Sequence, residues 1–216
     1  MFSNSIFEKI ILRKIVSSRK VRPTKIQELL SYIRTISPLE TQTLLELQQC
    51  FKPLSLKKGE LFVKEGEYAQ QIGFLKTGIV RAFFLNEKGK EYTKQFFTEL
   101  SIIGAYSSLI TKQPNKIAQQ ALTDCEILVA NFNEIEKLYA KFHDLERLGR
   151  KIAELYFLEK EQKEIEMALL DGKKRYVLMR KKFPTIETIV PQYHIASYLG
   201  ISGTQLSRIR RNLSKP

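Results

Sequence analysis

The sequence predicts an α+β protein: N-terminal helices, an antiparallel β-barrel or jelly roll, a long dimerisation helix, and a C-terminal helix-turn-helix domain. Three observations predict it. Between Lys52 and Phe132, Gly59, Gly66, Gly73, Gly78 and Gly89 punctuate short β-rich runs, the texture of an antiparallel barrel. From about Asp144 to Leu170 the chain reads as one long helix, with Leu145/Ile152 and Leu148/Leu155 at heptad spacing. From Gln192 to Leu213 it reads as two short helices joined by a tight turn. The divisions expected are an N-terminal helical extension over 1–36, a barrel over 37–143, the long helix and a hinge over 144–171, and a helix-turn-helix domain over 172–216.

Taken in order, residues 2–22 interleave Phe2, Ile6, Phe7, Ile10, Ile11, Leu12, Ile15 and Val16 with Lys9, Arg13 and Lys14. That pattern fits either a helix packed on the body or a basic amphipathic segment for a membrane or a partner. Residues 24–36 read as a helix. Ser37-Pro38-Leu39-Glu40 reads as the start of another, with Ser as cap, Pro at the first helical position and Glu40 in the first turn, running to about Phe51. The β-rich runs are 61–64, 72–75, 79–85, 92–97, 119–122 and 126–131, with a hairpin turn at Asn86-Glu-Lys-Gly89. A short helix over 134–141 precedes the long one. The heptad stripe of the long helix, continued by Gln162 and Leu169, fits a dimer seam or a helix docked on its own barrel. Asp171-Gly172 breaks it and marks a hinge. Lys173–Lys182 resumes as a basic helix around Val177 and Leu178, ended by Phe183-Pro184.

The C-terminal segment carries the most chemistry. Ile195 and Leu199, four apart, share a face of the first helix, and Ala196 beside them admits a close neighbour. Gly200 suits a helix C-terminus with positive φ. Ile201 is a plug between the helices, and Ser202 with Gln205 forms a capping box. Leu206, Ile209 and Leu213 make a buried stripe, opposite Thr204, Arg208 and Arg211. A second helix so presented is a candidate for the DNA major groove.

The formal net charge is +13. Residues 1–22 contribute +5 and residues 172–216 contribute +9, leaving 23–171 at −1. An excess confined to the helix-turn-helix end suits a polyanion partner rather than general solubility. Cys50 and Cys125 are far apart, form no metal-ligand cluster and read as small core residues in a reduced, cytoplasmic setting. No run has the length to span a bilayer, so no membrane partner is expected. His143 and His194 are isolated, and there is no nucleophile motif, P-loop or dinucleotide fingerprint. The chain is therefore expected to be no enzyme, with no catalytic residue, metal or cofactor.

The element order, together with Ile195-Ala-Ser-Tyr-Leu-Gly-Ile-Ser-x-x-x-Leu-Ser-Arg208 and the barrel pattern Lys58-Gly-Glu-Leu-Phe-Val-Lys-Glu-Gly-Glu67 followed by Gly73-Phe-Leu-Lys-Thr-Gly-Ile-Val-Arg81, resembles the Crp/Fnr family of bacterial transcription regulators over roughly residues 37–213. The resemblance implies a homodimer with a cyclic-nucleotide-binding-type barrel, and a transcription regulator that binds double-stranded DNA. It implies DNA contacts for Gly203, Thr204, Ser207 and Arg208; phosphate contacts, with no wing expected after the recognition helix, are expected from Arg210, Arg211, Lys215 and the basic helix over 173–182. A small-molecule effector, if there is one, is expected around Tyr106, Ser107, Ser108, Gln119 and Gln120. Two features depart from the family. Its cyclic-nucleotide binders carry a Gly-Glu pair and an Arg-Ser or Arg-Thr pair in the phosphate-binding stretch, and residues 104–121 contain neither Glu nor Arg. Without a guanidinium a buried cyclic phosphate lacks its main charge partner, so the effector is not expected to be cyclic AMP. Second, only Ser214-Lys-Pro216 follow the recognition helix in this sequence, so no wing is expected after it. The competing reading is a cyclic-nucleotide-type sensor or scaffold whose basic ends bind membrane or protein.

Overall fold

The computed structural model describes residues 25–213. The apolar and basic segment over residues 2–22 lies outside them, as does Lys215. Two helices, α1 (Lys25–Ile36) and α2 (Thr41–Gln49), lead into eight strands: β1 (Lys52–Leu56), β2 (Leu61–Val63), β3 (Gln71–Thr77), β4 (Val80–Leu85), β5 (Glu91–Phe97), β6 (Ser101–Ile103), β7 (Ala118–Ala121) and β8 (Cys125–Asn131). A short helix α3 (Tyr106–Thr111) interrupts them between β6 and β7. Then follow α4 (Phe132–Tyr139), the 27-residue α5 (His143–Leu169), α6 (Gly172–Lys182), α7 (Ile186–Ile189), α8 (Gln192–Leu199) and α9 (Gly203–Leu213).

The strands form two four-stranded antiparallel sheets, β1-β8-β3-β6 and β2-β7-β4-β5, packed face to face. Between them Leu75, Val80, Ile103, Ala121, Cys125 and Ile127 are buried together. Gly73 is not punctuation, as its spacing suggested, but sits inside β3. A Cβ there would lie 2.9 Å from Ile127 Cγ2 and 3.0 Å from Phe62 Cζ, so the barrel core closes over a bare backbone. The turn at Asn86–Gly89 forms as expected. The Asn86 carboxamide oxygen accepts from the Lys88 and Lys90 amides, and Gly89 takes φ +72°.

Several expected elements are shifted. The helix expected at Ser37 begins at Thr41, and the Ser37 hydroxyl is buried without a hydrogen-bond partner. The cap comes instead from α5: Asp144 accepts from the Glu40 amide at 2.7 Å and from the Thr43 hydroxyl at 2.9 Å. β1 pairs only with β8, so it is an edge, which is where Pro53 can be tolerated without losing a ladder bond. On α6 the buried residues are Tyr176 and Met179, not Val177 and Leu178.

The heptad stripe of α5 is also reassigned. Leu145 and Leu148 are buried in the chain's own core, with Leu29, Ile33, Leu47 and Ile135, and Ile152 packs against the same cluster. What remains exposed on α5 is a different set: Phe157, Leu158, Ile165 and Leu169. Among the described residues no helix is long and apolar enough to cross a membrane.

Candidate nucleic-acid interface

The helix-turn-helix forms from local rules. Ile195 and Leu199 are fully buried, and Ala196 is nearly so. After α8 the chain turns at Gly200, with φ +65° and ψ +34°. The Ile201 amide donates to the Ala196 carbonyl at 3.0 Å and the Gly200 amide to the Ser197 carbonyl at 3.1 Å, the two bonds of a Schellman closure. The Ser202 hydroxyl then accepts from the Gln205 amide at 3.1 Å and caps α9. Leu206 is the one residue of α9 that is fully buried; Ile209 packs against the same cluster, while Leu213, expected to extend the stripe, is exposed where the helix runs off the body.

Gly203, Thr204, Ser207, Arg208, Arg210 and Arg211 are all exposed on α9. Nothing lies within 4 Å of a Cβ placed on Gly203, so the start of the helix is open. Arg210 sits 3.4 Å from Glu187 of α7, which also takes Arg180 and the Tyr176 hydroxyl. That arrangement anchors the C-terminal half of α9 and leaves Thr204, Ser207 and Arg208 on the outward face.

The other side of the unit is docked on the barrel, a contact that no local pattern of residues signals. β5 is the free edge of its sheet. The Ser197 hydroxyl accepts from the Thr93 amide at 2.8 Å and donates to the Glu91 carbonyl at 3.1 Å, so a side chain of α8 satisfies edge groups that a neighbouring strand would otherwise take. Tyr198 and Phe183 close on Phe96 of β5, with ring centroids 5.0 and 6.1 Å away. From α5, Lys163 reaches the Tyr198 carbonyl at 3.2 Å and lies over its ring; burial brings its pKa down to about 8.

Deeper in this boundary lies Arg81 of β4, with a side chain only 4% exposed. Its guanidinium donates twice to the Gln120 carboxamide oxygen, at 3.0 and 2.8 Å. It pairs with the Glu91 carboxylate and approaches His194 Nδ1 at 2.7 Å. Because arginine stays protonated, His194 must be the acceptor, hence neutral. Burial, then the facing guanidinium, bring its pKa down to about 4. Arg81 in turn holds the Glu91 carboxyl below the usual carboxylate range.

The expected effector residues do not converge on one spot. Tyr106 and Ser107 are exposed on α3. Ser108 is buried, its hydroxyl accepting from the Ala69 amide at 3.1 Å and donating to the Gln113 carbonyl at 2.6 Å. Gln119 points into the barrel, where its amide donates to the Gly104 carbonyl at 2.9 Å and its oxygen is buried without a partner. Gln120, one residue on, points to the opposite side of β7 and belongs to the Arg81 cluster. A cleft of about 420 Å³ opens at the same boundary, between Ile79, Thr98 and Thr123 of the barrel and Phe183 to Ile189.

The comparisons with known proteins agree with this architecture. Residues 53–142 match the family model of the cyclic nucleotide-binding domain. Among solved structures, FixK2 from Bradyrhizobium japonicum superposes with a TM-score of 0.65 at 18% identity, over 76% of this chain and 84% of that one. CLP, described as a c-di-GMP-responsive global regulator of Xanthomonas campestris, gives 0.61 at 15% identity over 81% and 91%. The catabolite activator protein of Thermus thermophilus gives 0.51 at 17% identity over 82% and 84%. No curated protein matches the chain in sequence.

Proposed function

We propose that this chain, which carries a cyclic nucleotide-binding domain on the fold of the Crp/Fnr regulators, is a homodimeric, cytoplasmic DNA-binding transcription regulator and no enzyme. The observation that carries the reading is α9. It is capped at its N-terminus, seated on Leu206, and exposes Thr204, Ser207, Arg208 and Arg211 with an open Gly203 at its tip. A helix entering the major groove needs that combination: a rigid root, small polar residues at the leading end for close approach, and a guanidinium able to pair guanine O6 and N7. Arg208 is the base reader, Thr204 suits a thymine methyl, and Arg210, Arg211 and the basic face of α6 hold phosphates.

A second copy supplies the second recognition helix. Leu158 and Ile165 are seven apart on α5 and Leu169 four further on, so they share one exposed apolar stripe beside Phe157. Burying such a stripe is the ordinary reason for two helices to pair, and half-sites about 34 Å apart then follow from two-fold symmetry. The barrel acts as the sensor, through α5 and the Asp171-Gly172 connection. Its effector is not cyclic AMP, because the stretch over 104–121 offers Ser108 and Gln119 but no guanidinium.

The test is fluorescence anisotropy of the full chain on a pool of random duplexes, selected at moderate salt and sequenced. Enrichment of a two-fold symmetric site is expected. Salt-labile binding with no enriched sequence would instead favour a scaffold whose basic ends hold polyanions.

A further inference from the structure

The boundary between the barrel and the helix-turn-helix is fastened in an unusual way for a permanent joint. Beside the apolar cluster that Ile79, Phe96 and Leu122 of the barrel share with Phe183, Ile186 and Tyr198, it buries a guanidinium. Replacing a buried ionic cluster by apolar side chains of similar volume is commonly neutral or stabilising, so the cluster adds little that simple docking requires. What a polar cluster does provide is directionality: its bonds hold in one arrangement and are lost together when the groups shift.

The connectivity gives the cluster an input and an output. Arg81 sits on β4, bonded across to Gln120 of β7 and to Glu91 of β5. Its remaining partner, His194, is on α8, so one guanidinium joins three strands of the sensor barrel to the first helix of the DNA-reading unit. On the inner face of β7, Gln119 is bonded to the Gly104 carbonyl, where the chain enters the stretch that carries the expected effector residues. Gln119 and Gln120 are adjacent, and successive residues of a strand face opposite sides. A displacement of β7 from the barrel interior is therefore felt directly by the acceptor that orients Arg81.

We propose that Arg81, with Gln120, Glu91 and His194, is a latch that holds the helix-turn-helix against the barrel in a resting, weaker-binding arrangement, and that its release frees the domain to meet DNA. The proposal rests on the DNA-binding reading for its output, while the latch itself is measurable without DNA. Two recognition helices must reach successive major grooves in register, a demand on domain orientation that a unit fixed to the barrel by α8 meets in only one pose. Lys163 and the Phe96, Phe183 and Tyr198 rings continue to guide the domain when the latch opens, so release is a change of pose and not detachment.

Three variants of the full chain test this: Arg81→Met, which keeps the stem and removes the charge; His194→Lys, which places a second cation opposite Arg81; and His194→Gln, which retains an acceptor. Hydrogen exchange is followed at the Thr93 amide and along α8, and affinity is measured on the selected site. Arg81→Met and His194→Lys are expected to lose protection at Thr93 and in α8 and to bind DNA roughly tenfold more tightly, within the usual range of an allosteric coupling. His194→Gln should behave as the unaltered protein. Unchanged protection in Arg81→Met would overturn the latch. Weaker DNA binding in parallel with a lower Tm would also overturn it, by showing the cluster to be ordinary packing. If His194→Lys fails to fold, Arg81→Met alone decides. Loss of all specific DNA binding in the unaltered protein would remove the functional reading while leaving the exchange result to judge the latch.

Discussion

The two helices of the C-terminal unit are neighbours joined by three residues, yet they are built for opposite purposes. α8 buries five of its eight residues, His194, Ile195, Ala196, Tyr198 and Leu199, and is gripped on both sides by the barrel and by α9. α9 fully buries only Leu206, with Ile209 packed beside it, and turns most of its remaining surface to solvent. On the proposed function the contrast separates holding from reading: α8 would fix where the unit stands, and α9 what it touches. Substitutions should divide the same way, with stability lost in α8 and binding lost in α9.

The largest expected effect is on α8. Ile195→Ala removes a fully buried side chain from a cluster shared with Phe96, Tyr176 and Leu206 and should cost about 2–5 kcal/mol. Chemical denaturation measures it. A loss below about 1 kcal/mol would mean that α8 is not the structural keystone, and the division between the helices would fail.

A second test uses pH. His194 ordinarily titrates near 6.5 but near 4 in the folded chain, because it is buried and faces Arg81, with the Glu91 carboxylate opposing that trend. The unfolded chain therefore takes up the proton first. The contribution of His194 to stability is complete above pH 6.5, declines as pH falls below that value, and is gone below about 4. The full difference is on the order of 3 kcal/mol. Thermal melts at pH 7 and pH 5 should show it, and His194→Gln should flatten the decline. An equal pH slope in the variant would place the acid sensitivity elsewhere.

How much of this was legible in the sequence depended on range. The Gly200 turn, the Ser202 cap and the outward face of α9 are products of residues within five positions of each other, and the spacing alone specifies them. Six of the barrel strands announced themselves as β-rich runs between glycine turns. β6 did not, being only three residues long, and neither did β1, because Pro53 lowers its strand propensity and only its place at the sheet edge excuses it. The heptad stripe on α5 was real, but periodicity says that a face is covered, not by what. Leu145 and Leu148 turned out to be covered by the chain itself, leaving Leu158, Ile165 and Leu169 exposed. The Arg81 cluster was beyond reach: His194 lies 113 residues away in sequence, and neither residue type signals the contact.

The smaller effects sharpen the reading side of the comparison. Arg208→Ala should leave Tm unchanged, since the side chain is exposed, and should weaken the selected site by about 1–3 kcal/mol while relaxing the preference at one base position. Arg211→Ala should weaken every sequence by a similar, smaller amount and reduce the salt slope by about one. Equal loss on all sequences for Arg208→Ala would transfer it to the phosphate-holding group and leave Thr204 and Ser207 as the base readers. Ser202→Ala tests the joint between the helices. It removes the cap at the start of α9 and should cost about 1 kcal/mol of stability. Because the same turn of helix carries Thr204, proposed above to meet a thymine methyl, the fraying that follows should also weaken specific binding, while the salt slope, set by arginines further along α9, should stay where it was. A change in slope would mean that the cap, and not only the arginines, helps to hold the phosphates.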